Sequence, residues 1–247
     1  MKSVEQLVNS YYTAKAVVLL RKDLKEHESE KIYDFLINNL KVENSIQKDR
    51  AIKLIENFSK LIGYQLKPIK ILILLIEDIF FYEFDKVPSV NTGVAKDFEY
   101  LNKTFGSDYV ELKKINLLEH TLNVFEESLE LLKYYRPSQV LMPSLGALLH
   151  DFGKSDLIRK EILSSSNTNS KEFKAHQIVS GLYIQNILKY KFQKKYNENI
   201  DDFLKILKYI VENHHPATKK ISEEFNISLV KNADYQARQK ELIMLNK

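Results

Sequence analysis

A chain of 247 residues, 44% hydrophobic and 28% charged, has enough apolar material for one large domain or two modest ones. It has no cysteine, which excludes disulfides, thiolate metal sites and cysteine nucleophiles. The formal charge of +4 weakly favours an anionic ligand such as a nucleotide and does not by itself point to nucleic acid.

Only six glycines and five prolines punctuate the chain, and the apolar spacing is mostly helical, so the expected fold is all-α. Val4, Leu7, Tyr11, Ala14 and Val18 share one face of a helix predicted over residues 1–19, and a second helix is predicted over 28–40. A third, over 47–62, turns Ala51, Leu54, Ile55 and Phe58 inward and stops at Gly63. Pro68 opens the next, which runs to about Phe84; apolar residues nearly surround it, as in a central helix. Its apolar run from Ile71 to Ile76 is too short to cross a bilayer, so no membrane partner is expected. The first residues lack the basic-then-apolar pattern of a secretory signal, and a cytoplasmic protein is expected.

Residues 85–97, rich in Pro, Ser, Asn, Thr and Gly, read as a loop or linker, and a boundary is placed near residue 95. Residues 1–95 then form a helical accessory or dimerisation region. The alternative left open is that they pack on the same core as the rest. Five of the six histidines lie in 96–247; the sixth, His27, sits in a charged stretch and is not expected to bind metal.

Beyond the boundary, residues 116–135 form an amphipathic helix with Leu117, Thr121, Phe125, Leu129 and Leu132 on one face and His120 beside it. Arg136 and Pro137 end it. Residues 143–151 form the next helix, which delivers His150 and Asp151. Residues 164–170 read as a polar loop, and a helix over about 172–192 carries His176. Residues 201–215 place Phe203, Leu207, Ile210 and His214 in one stripe, and Pro216 closes that helix. On this spacing His214 faces inward and His215 lies about 100° around the axis. The last helix, over 227–243, has Val230, Asp234, Ala237 and Glu241 on one side.

The run from Leu145 to Lys154 is the centre of the chain. A histidine and an aspartate at the end of a buried apolar segment need partners, because an unpaired buried charge is costly. Any one of these histidines read alone is a satisfied core residue. His120, His150, Asp151, His176, His214, His215 and Asp234, each near an inward face or a helix end, read together as metal ligands. Imidazole and carboxylate without sulfur suit iron, manganese, nickel, zinc or magnesium. One ion lowers the pKa of bound water, and a second stabilises phosphoryl oxygens, so attack on phosphorus needs no protein nucleophile. Lys154 is a point charge for a phosphate, with a solvated loop lysine as the alternative. Arg238, four residues after Asp234, is placed toward the same cleft or on the surface.

His120, then His150-Asp151, then Asp234 on successive helices resembles the HD superfamily of metal-dependent phosphohydrolases. The strings Leu-Leu-Glu-His-Thr-Leu at 117–122, Leu-Leu-His-Asp-Phe-Gly-Lys at 148–154 and Ala-Asp at 233–234 carry the resemblance, over residues 105–243. It implies an all-helical HD domain in which His120, His150, Asp151 and Asp234 hold one divalent ion. His176 and the His214-His215 pair resemble members with two ions, in which Asp151 bridges and His176 with His214 or His215 completes the second site. Members that hydrolyse guanosine alarmones often carry two acidic residues where this chain has Gly153-Lys154. The cyclic-di-GMP class carries a Gly-Tyr-Pro signature that is absent after His214-His215. The strings around His120 and His150 are also similar to HD domains of some 3′–5′ exoribonucleases and relaxase-associated proteins.

The expected activity is hydrolysis of a phosphoester in a nucleotide, cyclic dinucleotide or oligonucleotide, with two divalent ions (Fe, Mn, Mg, Ni or Zn) as cofactors and Asp151 and Lys154 as catalytic groups. Lys154 and Arg238 are the expected substrate contacts. The partner is a phosphorylated small molecule, with nucleic acid and a homodimer as further candidates. The competing functions are a non-catalytic HD module that binds a nucleotide or regulates a partner, and a helical scaffold without metal.

Overall fold

The computed structural model describes residues 34, 37, 38, 40, 45–90, 111–165, 175–214 and 224–246. The helix predicted over 1–19 lies outside these residues, as do His27, His215 and most of the helix predicted over 28–40. Among the described residues the fold is all-α, as expected. Its one extended pairing is an isolated antiparallel bridge between Pro88 and Asn116.

Helix α1 (Ser45–Leu61) buries Ala51, Leu54, Ile55 and Phe58, the stripe expected of one helical face. Gly63, at φ +67°, turns the chain out of it, a conformation that costs glycine nothing sterically. Helix α2 (Leu66–Phe81) does not open at Pro68. Pro68 lies in its first turn, where a missing N–H breaks no intrahelical bond. α2 buries residues on every side, which fits its apolar run and its central place.

Helix α3 (Leu117–Leu132) starts at Asn116, whose side chain accepts from the Glu119 N–H at 2.8 Å. Pro137 does not simply end the preceding helix: it occupies the first position of α4 (Pro137–Leu149), where its fixed φ suits a helix start. Helix α4 is therefore longer than the predicted 143–151, with Pro143 inside it. A 3-10 turn (Phe152–Lys154) follows, then α5 (Asp156–Ser165), a helix that periodicity did not predict. Helix α6 (His176–Leu182), a π-helical stretch (Tyr183–Leu188) and α7 (Lys189–Tyr196) continue without a break. Helices α8 (Asp201–Glu212) and α9 (Phe225–Leu245) complete the described fold.

Helix α3 packs on α4 and α9, and α8 packs on α4 and α6. Gly146 of α4 lets α8 and α9 approach closely: a Cβ there would lie 2.8 Å from Ile210 and 3.2 Å from Val230. α1 packs on α2 and α3, and the buried residues of α1 and α2 belong to the same apolar cluster as those of α3 through α9. Buried Asp78 of α2 reinforces this by accepting from the Tyr183 hydroxyl at 2.5 Å and from Lys191 Nζ at 2.6 Å. The stretch read as a linker is described to residue 90, and that part is anchored. Ser89 is buried, its N–H donates to Ile115 O, and its carbonyl accepts from Lys154 and Arg238.

Candidate metal centre

Three helix ends and two helix faces bring the ligand types together. α3 supplies His120 from its second turn. α4 ends on His150, and Asp151 follows at φ −108°, ψ 6°, outside the helix. His176 is the first residue of α6, His214 follows the end of α8, and Asp234 lies on the inner side of α9. His120, His150, Asp151, His176 and His214 are all buried, whereas the Asp234 side chain is 36% exposed.

These residues fall into two groups. His120, His150 and Asp234 form one; Asp151, His176 and His214 form the other; within each, ligand atoms lie within 4.8 Å of one another. Asp151 joins them. Its Oδ2 is 3.2 Å from His150 Nε2 and 3.5 Å from His120 Nε2, and its Oδ1 is 3.2 Å from His176 Nε2. His120 Nε2 is 3.3 Å from Asp234 Oδ1. Two ligands each about 2.1 Å from one ion, about 100° apart, would lie about 3.2 Å from each other, which these spacings match. His214 is buried, as its place on the stripe of Phe203, Leu207 and Ile210 leads one to expect; His215 lies outside the described residues.

Three atoms of the first group, His120 Nε2, His150 Nε2 and Asp234 Oδ1, are buried with no hydrogen-bond partner among the described residues. An unsatisfied buried polar atom costs about 1–3 kcal/mol. Three that converge on one point fit a cation that would accept their lone pairs. The far side of each ring supports that role. His150 Nδ1 lies 2.7 Å from Ala147 O and His214 Nδ1 2.6 Å from Val211 O. A carbonyl can only accept, so the proton of each ring sits on Nδ1, and in His150 the unpartnered Nε2 keeps its lone pair for a ligand.

The centre is rich in negative charge. Asp151, Asp234 and Glu241 face Lys154 and Arg238. Burial and the Arg238 guanidinium disfavour a charged His120, but the Glu241, Asp151 and Asp234 carboxylates outweigh them and push its pKa up to about 9. Burial also opposes the charge on Asp151, yet His150, Lys154 and His120 hold it well below the usual carboxylate range. Asp234 is lowered against its own desolvation, chiefly by His120, then by His150 and Arg238. Glu241 is brought down to about 2 against burial by His120, Arg238 and Asn123.

The two expected phosphate contacts are already engaged. Lys154 Nζ donates to Asp151 Oδ2 at 2.6 Å and to Ser89 O at 2.9 Å. Arg238 is 4% exposed and donates to Ser89 Oγ, Ser89 O and Glu241 Oε2. In this arrangement Arg238 ties α9 to the segment before residue 90 and is not presented to a ligand. A guanidinium four residues from Asp234 faces inward here because Ser89 and Glu241 satisfy it.

Sequence reasoning passed over Glu241, Ser180 and Ser89. Glu241 stood on the inner stripe of the last helix without an explanation, and a carboxylate on an apolar face was a usable signal. Ser180 accepts from the Gly153 N–H at 2.8 Å and donates to His150 O at 3.1 Å, and no local pattern marks it. No protein-family model matches the chain, and no curated protein or solved structure matches it either.

Proposed function

We propose that the chain is a dinuclear metal-dependent phosphohydrolase of the HD type, cleaving a phosphoester of a nucleotide, cyclic dinucleotide or oligonucleotide. One observation carries the reading: Asp151 directs one carboxylate oxygen to each of two histidine-containing groups, one of which holds three unpartnered buried ligand atoms. Divalent ions held there would acidify water and polarise a phosphoryl oxygen. His120, His150 and Asp234 would hold one ion, His176 and His214 the other, with Asp151 between them. The backbone acceptors behind His150 and His214 orient those rings before any ligand arrives, which lowers the ordering cost. Lys154 Nζ, beside Asp151 Oδ2, is the cation that an anionic substrate oxygen would meet there.

The test is metal content per chain after purification with Mn²⁺ or Fe²⁺, together with a phosphoester screen across nucleotides, cyclic dinucleotides and single strands. About two ions per chain and turnover of one substrate class are expected. Metal content near zero in the replete protein would defeat the reading. His176→Ala is expected to cost one ion and depress turnover, because its imidazole reaches only Asp151's side of the centre. Two retained ions with full activity would reduce the centre to a single-metal site.

A second reading, a metal-holding module that binds or regulates without turnover, is favoured by one observation: Lys154 and Arg238 are both spent on internal partners. Two bound ions with silence across the whole screen would select it.

A further inference from the structure

Behind His120 stands a line of polar side chains that metal ligation alone does not explain. Glu241 is fully buried and lies seven residues past Asp234 on α9, so both carboxylates share one side of that helix. Its Oε1 lies 3.0 Å from His120 Nδ1 and accepts from Asn123 Nδ2 at 2.9 Å; its Oε2 accepts from Arg238 Nη1 at 3.1 Å. Asn123 Oδ1 in turn accepts from Arg50 Nη2 at 2.7 Å, and Arg50 belongs to α1. The line Arg50–Asn123–Glu241–His120 therefore runs from an N-terminal helix to the imidazole whose unpartnered Nε2 faces Asp151 and Asp234.

An ionised carboxylate only accepts hydrogen bonds, so Glu241 assigns a proton to His120 Nδ1 and leaves Nε2 as the ligand atom. His150 and His214 use backbone carbonyls for the same purpose. A carboxylate makes the stronger, charge-assisted contact and raises the basicity of the ring it orients. Glu241 is itself held from two further directions, by Asn123 and by Arg238, so the orientation of His120 depends on α1, α3 and α9 together.

We infer that Glu241 is a positioning residue for the His120–His150–Asp234 group, and that Arg50 and Asn123 extend its control to α1, so that the N-terminal helices set the metal affinity of that group alone. This rests on reading the two groups as metal sites.

The test is a Co²⁺ titration of the metal-free 247-residue chain, followed by calorimetry and by the ligand-field absorption of the bound ion. The wild-type chain should give two binding events, and His176→Ala should remove one of them. Glu241→Gln should weaken the event that survives in His176→Ala by about 10–100-fold, as loss of an outer-shell partner typically does, and should alter its absorption band. Asn123→Ala and Arg50→Ala should weaken that same event by less; they leave His120 untouched and keep the inference testable if Glu241→Gln folds poorly. Wild-type affinity for both events in Glu241→Gln and Asn123→Ala overturns the inference. So does equal weakening of both events with a fall in melting temperature, which marks a merely structural role. No Co²⁺ uptake by the wild-type chain overturns the metal-centre reading and the inference with it, and differs visibly from the other two outcomes.

Discussion

Asp151→Asn is expected to empty both ligand groups at once and to lower turnover by more than the roughly 10–100-fold typical of an outer-shell loss. The substitution keeps the shape of the side chain and removes its charge. It also replaces one of two equivalent acceptor oxygens with an amide N–H₂. Whichever way the amide turns, one group then meets a donor in place of a ligand oxygen: Oδ2 serves the His120 and His150 side, and Oδ1 the His176 side. The charge matters as much as the geometry, because several cationic or protonatable groups depend on it. Lys154 would keep only the Ser89 carbonyl. Removing one partner of a fully buried ion pair costs about 3–5 kcal/mol, and the 17% exposure of the Lys154 side chain puts this pair at the low end or below. The apolar stripes of α3, α4 and α9 remain, so the helical circular dichroism should persist while the melting temperature falls. Metal content, melting temperature and turnover measured on one preparation check the prediction. Full occupancy of either group in Asp151→Asn would refute the bridging role.

Much of this was readable from the chain because helical periodicity and ligand chemistry are local signals. The stripe of Ala51, Leu54, Ile55 and Phe58 located α1, and the apolar surround of 71–76 located α2 as a central helix. The spacing of Phe203, Leu207, Ile210 and His214 pointed His214 inward, where it lies. The misjudged helix starts share one cause. Proline both ends and begins helices, and which it does depends on the hydrogen bonds already lost at that point. Thus Pro137, expected to end a helix, begins one, while Pro68, expected to open one, lies inside its first turn. The supporting shell was less legible because its partners are distant in sequence. Glu241 meets His120 across 121 residues, and Ser89 meets Arg238 across 149. No window along the chain can register such pairs. The segment around Ser89 looked like a linker because its composition is that of a turn, yet its carbonyl is where Lys154 and Arg238 converge.

Gly153→Ala, a change of one methyl group, is expected to damage the centre nearly as much as the loss of a ligand. The obstacle is space and not backbone conformation, since Gly153 does not have the positive φ seen at Gly63. A Cβ on Gly153 would fall 2.0 Å from His176 O, 2.8 Å from its carbonyl carbon and 2.8 Å from Ser180 N. All three are backbone atoms of the first turns of α6, so no rotamer change can clear them. The 3-10 turn and α6 must separate by more than about 1 Å, whereas packed interiors yield in steps and resist such shifts. Separation also breaks the bond from the Gly153 N–H to Ser180 Oγ, which lies beneath His150 O. Overpacking costs about 1–3 kcal/mol and a buried donor left unpaired about 1–3 kcal/mol more, so a clear fall in melting temperature is expected. The consequence for the site is specific. Moving α6 draws His176 away from Asp151 Oδ1, 3.2 Å distant, while His120, His150 and Asp234 stand on α3, α4 and α9. Gly153→Ala should therefore lose the second ion before the first, as His176→Ala does, and should add the stability cost of forcing the 3-10 turn and α6 apart. Gly63→Ala is the control. Among the described residues nothing lies within 4 Å of its added methyl, so it should cost only the about 1–2 kcal/mol of a left-handed alanine and leave metal content unchanged. Wild-type melting and two bound ions in Gly153→Ala would mean that α6 does not rest on the His-Asp-Phe-Gly-Lys turn as closely as this contact requires.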